Sequence, residues 1–305
     1  MSREFIRNIA VTLQLILLGP LVGGLLTMLR AGDGGTSISP LLSSSPAMGF
    51  ILLVVVCVLS VIIGLVDGRV FGVRSGMRGM GIILGWAAIH TGRTEDILRI
   101  NAPLMVSIKF AVEALILSIG VVWFVRQLAV MTDRAERLAS PEKGPELAVA
   151  SIARGASLMA AGAACIGGLV AAWFAAFHGA KGQTLFAGMV GGIAAGAFAA
   201  IVSAGSESKS GERTVDPVIS ACLGMALASV VAPFSIAFLS GPDPLASALA
   251  GKLFRLGHLN GLDWAAGALV GIPVGLGWAG AHAQHGELAT NSATPAPAGP
   301  TPAKS

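Results

Sequence analysis

Apolar runs long enough to cross a bilayer alternate with short polar stretches along most of the chain. A helix spans the hydrocarbon core with about 20 residues. Seven stretches reach that scale: 9–29, 49–66, 103–124, 152–177, 184–204, 217–239 and 262–283. An eighth, 75–91, is ambiguous. Its apolar part is short, and Arg69, Arg74 and Arg78 lie before or within its first turns. Charge distribution decides in its favour. If 75–91 crosses, Arg3, Arg7, Arg69, Arg74, Arg78, Arg126, Arg134 and Arg137 all face one side, which the positive-inside rule makes cytoplasmic. If it does not, the basic residues divide almost evenly. The pattern therefore predicts an all-α, multi-pass transmembrane helical bundle of about eight membrane helices, seven if Ser75 to Thr91 does not span. Both termini are expected on the cytoplasmic side of a bacterial cytoplasmic membrane.

The polar stretches set the expected organisation. Residues 1–125 form a first membrane half and 149–284 a second, each of about four helices. Residues 126–148, charged with both signs and broken by Pro141 and Gly144, read as a cytoplasmic connector. Within 244–259, Leu245, Leu249, Leu253 and Leu256 share a helical stripe while Arg255 and His258 face away. That pattern predicts an amphipathic helix lying at the interface. The tail, 285–305, is rich in Ala, Pro, Thr and Ser and is expected to be disordered.

Composition agrees with the pattern. Charged residues make up 12% of 305 and hydrophobic ones 54%, where a soluble domain carries about 25% charged. Mean hydropathy is +0.79. The net charge of +4 comes from scattered loop residues without a patch, so no nucleic-acid partner is expected. The bilayer itself is the expected partner. Cys57, Cys165 and Cys222 lie in apolar segments without metal-type spacing and read as small buried hydrophobes. No metal or cofactor is expected.

Chemistry concentrates at one place. Lys109 and Glu113 stand one helical turn apart inside the apolar run 103–124. A rise of about 1.5 Å per residue puts Glu113 near the middle of a bilayer roughly 30 Å thick. Lys109 is close enough to the helix start to snorkel. A charge at that depth costs about 2.5–3.5 kcal/mol, so intramembrane ionisable groups are functional candidates. Glu113, with Lys109, is the candidate intramembrane site. It reads either as a structural pair or as a carboxyl that takes a proton or cation.

Two further patterns are architectural. Gly188, Gly192 and Gly196 repeat in spacing as Gly267, Gly271 and Gly275, within matching Ala-Gly-x-x-x-Gly-Ile-x-x-Gly stretches. Glycine every fourth residue makes a flat face on which another helix, or another protein, can pack closely. Pro20 and Pro273 lie near the centres of their runs and read as kinks. Asp67, Asp216 and Asp263 fall at helix boundaries and read as caps. Trp123, Trp173 and Trp264 read as an interfacial belt, Trp86 and Trp278 as interhelical packing. No catalytic residues are assigned, because no HExxH, GxSxG or Walker-type motif occurs.

These readings leave three function classes. The first is a non-enzymatic membrane component: a subunit, scaffold or assembly factor, contacting other membrane proteins or itself through glycine faces. The second is a transporter or channel for a small solute or ion, using Glu113. The third is a lipid-acting enzyme built on Arg69–Arg78 or Arg93–Arg99.

Overall fold

The computed structural model describes residues 2–36, 38–139, 157–205 and 216–292. Among them all regular structure is helical, as the apolar periodicity requires. The first helix, α1 (Arg3–Leu13), is opened by Ser2, whose hydroxyl accepts from the Phe5 N–H. It continues through a π-helical turn (Gln14–Leu18), α2 (Gly19–Gly23) and a 3-10 turn (Gly24–Met28). The π turn ends two residues before Pro20. A proline ring clashes with the carbonyl four residues earlier, and a wider turn relieves that clash. Here the Gly19 N–H reaches back to the Gln14 carbonyl.

A loop leads into α3 (Pro46–Phe71), and Gly72 alone joins it to α4 (Val73–Ile89). Gly72 has φ +96°, a conformation side chains resist. With no Cβ there, the chain folds back into a hairpin. Gly64, Gly68 and Gly76 then bring the two backbones together at its base. A short α5 (Thr94–Leu98) precedes α6 (Pro103–Ala139), which runs well past the expected end at 124. Much of the expected connector 126–148 is therefore a continuation of the membrane helix. Residues 140–148 lie outside the described residues.

The second half holds α7 (Leu158–Ala175), α8 (Lys181–Ala204), α9 (Pro217–Val231), α10 (Phe234–Leu239) and α12 (Gly261–Ser292), with α11 (Pro244–Leu249) between. The run 217–239 is interrupted at Ala232 and Pro233, after which α10 begins. Residues 244–259 are not one amphipathic helix. After α11 the chain turns at Gly251 (φ +67°) and ends in a 3-10 turn, Arg255–His258. Leu253, Leu256 and His258 are buried, while Leu249 is exposed, so the leucine stripe is divided by the turn. The last helix extends to Ser292, so part of the expected tail is helical; residues 293–305 lie outside the described residues.

Among the described residues, six helices are long and apolar enough to cross a membrane: Glu4–Met28, Pro46–Phe71, Pro103–Met131, Leu158–Ala175, Lys181–Ala204 and Gly261–Gly280. Their large outward side chains, such as Ile16, Leu21, Ile119 and Ile201, are exposed and apolar, as lipid contact demands. α4 and α9 are shorter. The core divides by residue size. Leu53, Met80, Ile83, Phe110 and Phe124 fill the first half, and alanine with glycine lines the second. α12 is the seam, packed on α4 and α6 on one side and on α8 on the other.

α8 and α12 pack backbone against backbone. A Cβ at Gly267 would land on Gly188, one at Gly271 on the Met189 carbonyl, and one at Gly275 on the Ile193 carbonyl. Gly188, Gly192 and Gly196 meet the backbone of Asp263, Ala268 and Ile272 in turn. Positions advance together, so the helices run parallel. The two glycine repeats cover each other within one chain.

Candidate functional site

α6 carries Glu113 on its inward face, 1% exposed. Its partner comes from the loop before α3. Ile38, Ser39 and Leu42 are buried there, and the 3-10 turn Pro40–Leu42 drives the chain into the bundle. Gly49 makes this possible, since a Cβ at that position would overlap the Pro40 carbonyl. The loop is held on its other edge by the Gly92 N–H, which donates to the Ile38 carbonyl at 2.9 Å. One Glu113 oxygen accepts from the Ser39 hydroxyl and the other from the Leu41 N–H at 2.6 Å. The carboxyl thus satisfies a hydroxyl and a backbone donor that burial would otherwise leave without water.

Lys109 is half-buried and makes no ion pair with Glu113 within 4.0 Å. Lys181, at the start of α8, acts electrostatically on Glu113, as does Lys109. Ser60 and Ser229 are engaged elsewhere, with the Val56 carbonyl and with Ser118.

Lys181 belongs to a second buried group. Its ammonium lies 3.3 Å from Asp263, which is fully enclosed. Asp263 and Asn260 form a reciprocal cap at the start of α12. The Asn260 N–H donates to the Asp263 carboxylate at 3.0 Å, and the Asp263 N–H donates to the Asn260 side-chain oxygen at 3.0 Å. This is the N-cap and N3 exchange that closes a helix start. Asn260 also donates to Thr91 at 2.8 Å, tying α12 to the end of α4. Thr94 donates to the Gly257 carbonyl at 3.0 Å, tying α5 to the turn before α12. Gly261 packs on the backbone of Glu113 and Ala114, so both carboxyl groups flank the same helix start. This cluster therefore contains two carboxyl groups and one well-placed ammonium. One Asp263 oxygen has no hydrogen-bond partner.

Polar cavities adjoin this face. One of about 480 Å³ is lined by Thr36, Thr91, Arg93, Asp96 and Lys181. Another of about 210 Å³ lies between Arg93, Glu95, His178 and His258. His258 is buried, and its Nδ1 has no hydrogen-bond partner. Burial, and then the charge of His178, bring its imidazole pKa down to about 4. Arg255 stacks over Trp173 and Phe177, at 5.0 and 4.7 Å, a geometry in which ring faces attract a cation.

A third polar group sits nearer the opposite face. Gln14, at the start of the π turn, and Asp67 of α3 both border the space left by Gly79 of α4. Asp67 is inside α3 and buried, so it is not a cap; Asp216 does cap α9, accepting from the Val218 and Ile219 N–H groups. Pro20 follows the π turn, and Pro273 lies inside α12.

Sequence reasoning singled out Glu113 but missed Ser39, Leu41 and Lys181. Nothing in the local pattern of 31–48 distinguishes an inserted loop from a solvated one. The Asn260-x-x-Asp263 spacing was a usable capping signal. Among the described residues no group of three or more His, Cys, Asp or Glu is placed to hold a metal ion. Comparison with models of known protein families, with curated proteins and with solved structures finds no match.

Proposed function

We propose that the chain is a non-enzymatic component of a membrane, a subunit, scaffold or assembly factor, crossing the bilayer eight times with both termini cytoplasmic. The observation that carries this reading is how the buried polar side chains are spent. Glu113 fastens the Ser39–Leu41 loop, Asp263 and Asn260 close α12, and Thr91 and Thr94 bind neighbouring elements. Each holds the chain to itself. The α3–α4 hairpin supports an eight-pass path, since Gly92 at the end of α4 returns to the loop that precedes α3. Arg69, Arg74 and Arg126 then share a face with the N-terminus, in keeping with the positive-inside rule. Purification of the tagged chain from its native membrane in mild detergent, followed by mass spectrometry, tests the reading. A stoichiometric partner supports it, and a lone protein that conducts ions counts against it.

A second reading, transport of a proton or small cation, is favoured by one arrangement. Glu113 and Asp263 are both under the influence of the half-buried ammonium of Lys181, which also lines the 480 Å³ polar cavity. Fully ionised, the group is one charge out of balance, and burial makes an uncompensated charge expensive. A bound proton or cation restores the balance. In liposomes this reading expects flux in the wild type and its loss in Glu113→Gln. Equal flux in both excludes Glu113 as the carrier.

A further inference from the structure

At the face opposite the Glu113 cluster the bundle opens. Among the described residues, α4, α6, α8, α9 and α12 line a cavity of about 970 Å³ there. Pocket volumes for small ligands run to about 1,000 Å³, with mostly apolar walls and a few orienting polar groups. These walls are apolar: Met77, Val125, Ala200, Pro273 and Leu276 are among them. Two of the lining side chains face outward. Ile201 is 63% and Trp278 60% exposed, so the opening is flanked by surface suited to lipid rather than to water.

Among the described residues, one cation stands at this cavity. Arg74, at the start of α4, is exposed, and its guanidinium reaches across to α12, 3.8 Å from where a Cβ at Gly277 would be. It has no ion pair within 4.0 Å among the described residues. The other charged lining residue, Asp216, is engaged by the N–H groups that open α9. Arg78, one turn along, donates to Ser75 instead. The charge offered to a ligand is therefore positive.

We infer that this cavity holds one acyl chain of an anionic phospholipid, with the lipid phosphate on Arg74. Transfer of an acyl chain from bilayer to protein changes little in apolar contact, because lipid tails are as apolar as leucine. Selectivity then rests on the head group, and basic sites between membrane helices recruit anionic lipid heads. Guanidinium pairs with phosphate through two parallel donors. The cavity fixes the chain, and Arg74 chooses the lipid.

The test uses the full chain in nanodiscs of equal phosphatidylglycerol and phosphatidylcholine, followed by delipidation in mild detergent and native mass spectrometry. Wild type is expected to retain about one phosphatidylglycerol, favoured over phosphatidylcholine on the order of tenfold, the discrimination of a single strong charge contact. Arg74→Gln is expected to remove the preference while keeping the elution volume of the folded protein, and Arg74→Lys to keep part of it. Ala200→Trp, which fills the cavity, is expected to lower retention of both lipids. Equal retention of the two lipids by wild type overturns the inference. So does a preference that survives both Arg74→Gln and Ala200→Trp. Displacement of bound phospholipid by an equal amount of palmitate assigns the cavity to free fatty acid and also overturns it.

Discussion

At the residue scale, two buried side chains have opposite relations to their surroundings. Glu113 is satisfied on both oxygens by a loop far away in sequence. Its removal leaves a hydroxyl and a backbone N–H buried without partners. Hydrogen bonds to charged groups contribute about 1.5–3 kcal/mol each. Glu113→Ala is therefore expected to lower the melting temperature in detergent by several degrees, and Glu113→Gln, which keeps an acceptor, by less. If the two variants melt together with wild type, Glu113 is not the fastener described here. His258 is the reverse case, a buried side chain with an unsatisfied atom and a folded pKa of about 4. Its unfolded value is about 6.5. The neutral form is favoured by folding, so its contribution is complete above about pH 6.5 and is lost as pH falls toward 4. Thermal melts of wild type at pH 7, 5 and 4 are expected to show that loss. His258→Gln is expected to show a shallower dependence, and parallel curves would remove His258 as the cause.

At the scale of elements, glycine has two distinct uses. On α8 and α12 it brings two parallel backbones into contact, and any side chain there must push the helices apart. At Gly162 on α7 a Cβ meets nothing within 4 Å. Gly271→Ala is thus expected to reduce the yield of monodisperse protein sharply. Gly162→Ala is expected to be neutral or to stabilise by about 0.5–1 kcal/mol, the intrinsic helix gain over glycine. Size-exclusion profiles and melts of the pair separate the two uses. Gly81 and Gly85 of α4, also four residues apart, divide the same way, because Gly81 packs on Val270 and the Ala266 carbonyl whereas a Cβ at Gly85 meets nothing within 4 Å. Spacing alone does not tell which glycine face is covered. Aromatic residues carry the same lesson. Trp264, expected at the interface, is 1% exposed, and Trp278, expected between helices, is 60% exposed. Depth along a helix follows from sequence position, but rotation about its axis is set by neighbours.

At a larger scale, the described residues of the bundle form a polar face of loops and helix starts at one end and a largely apolar cavity at the other. The eight-pass proposal depends on α4 crossing. In a cysteine-free background, Ile100→Cys is expected to react with a membrane-impermeant maleimide from the same side as Thr36→Cys, and Ser2→Cys from the other. If Ile100→Cys labels with Ser2→Cys, α4 does not cross and the basic residues lose their asymmetry.

The helical membrane character was legible in the sequence because it follows from local quantities: run length, apolar content and the exclusion of charge. Glu113 stood out for the same reason, as a carboxyl inside an apolar run, and Asn260 with Asp263 bore a capping spacing. Helix ends were less legible, since α6 continues through charged residues that lie beyond the apolar run. What only the tertiary structure decided was who meets whom. Ser39 and Glu113 are 74 positions apart, Lys181 and Asp263 82, Asn260 and Thr91 169. Contacts at such separations are fixed by how helices rotate and pack, a collective outcome that no single stretch of chain encodes. The sequence by itself determined that the chain is helical and apolar enough for a bilayer. The packed bundle determined that Glu113 holds a loop and Asp263 a helix start, and that its glycine faces close on one another.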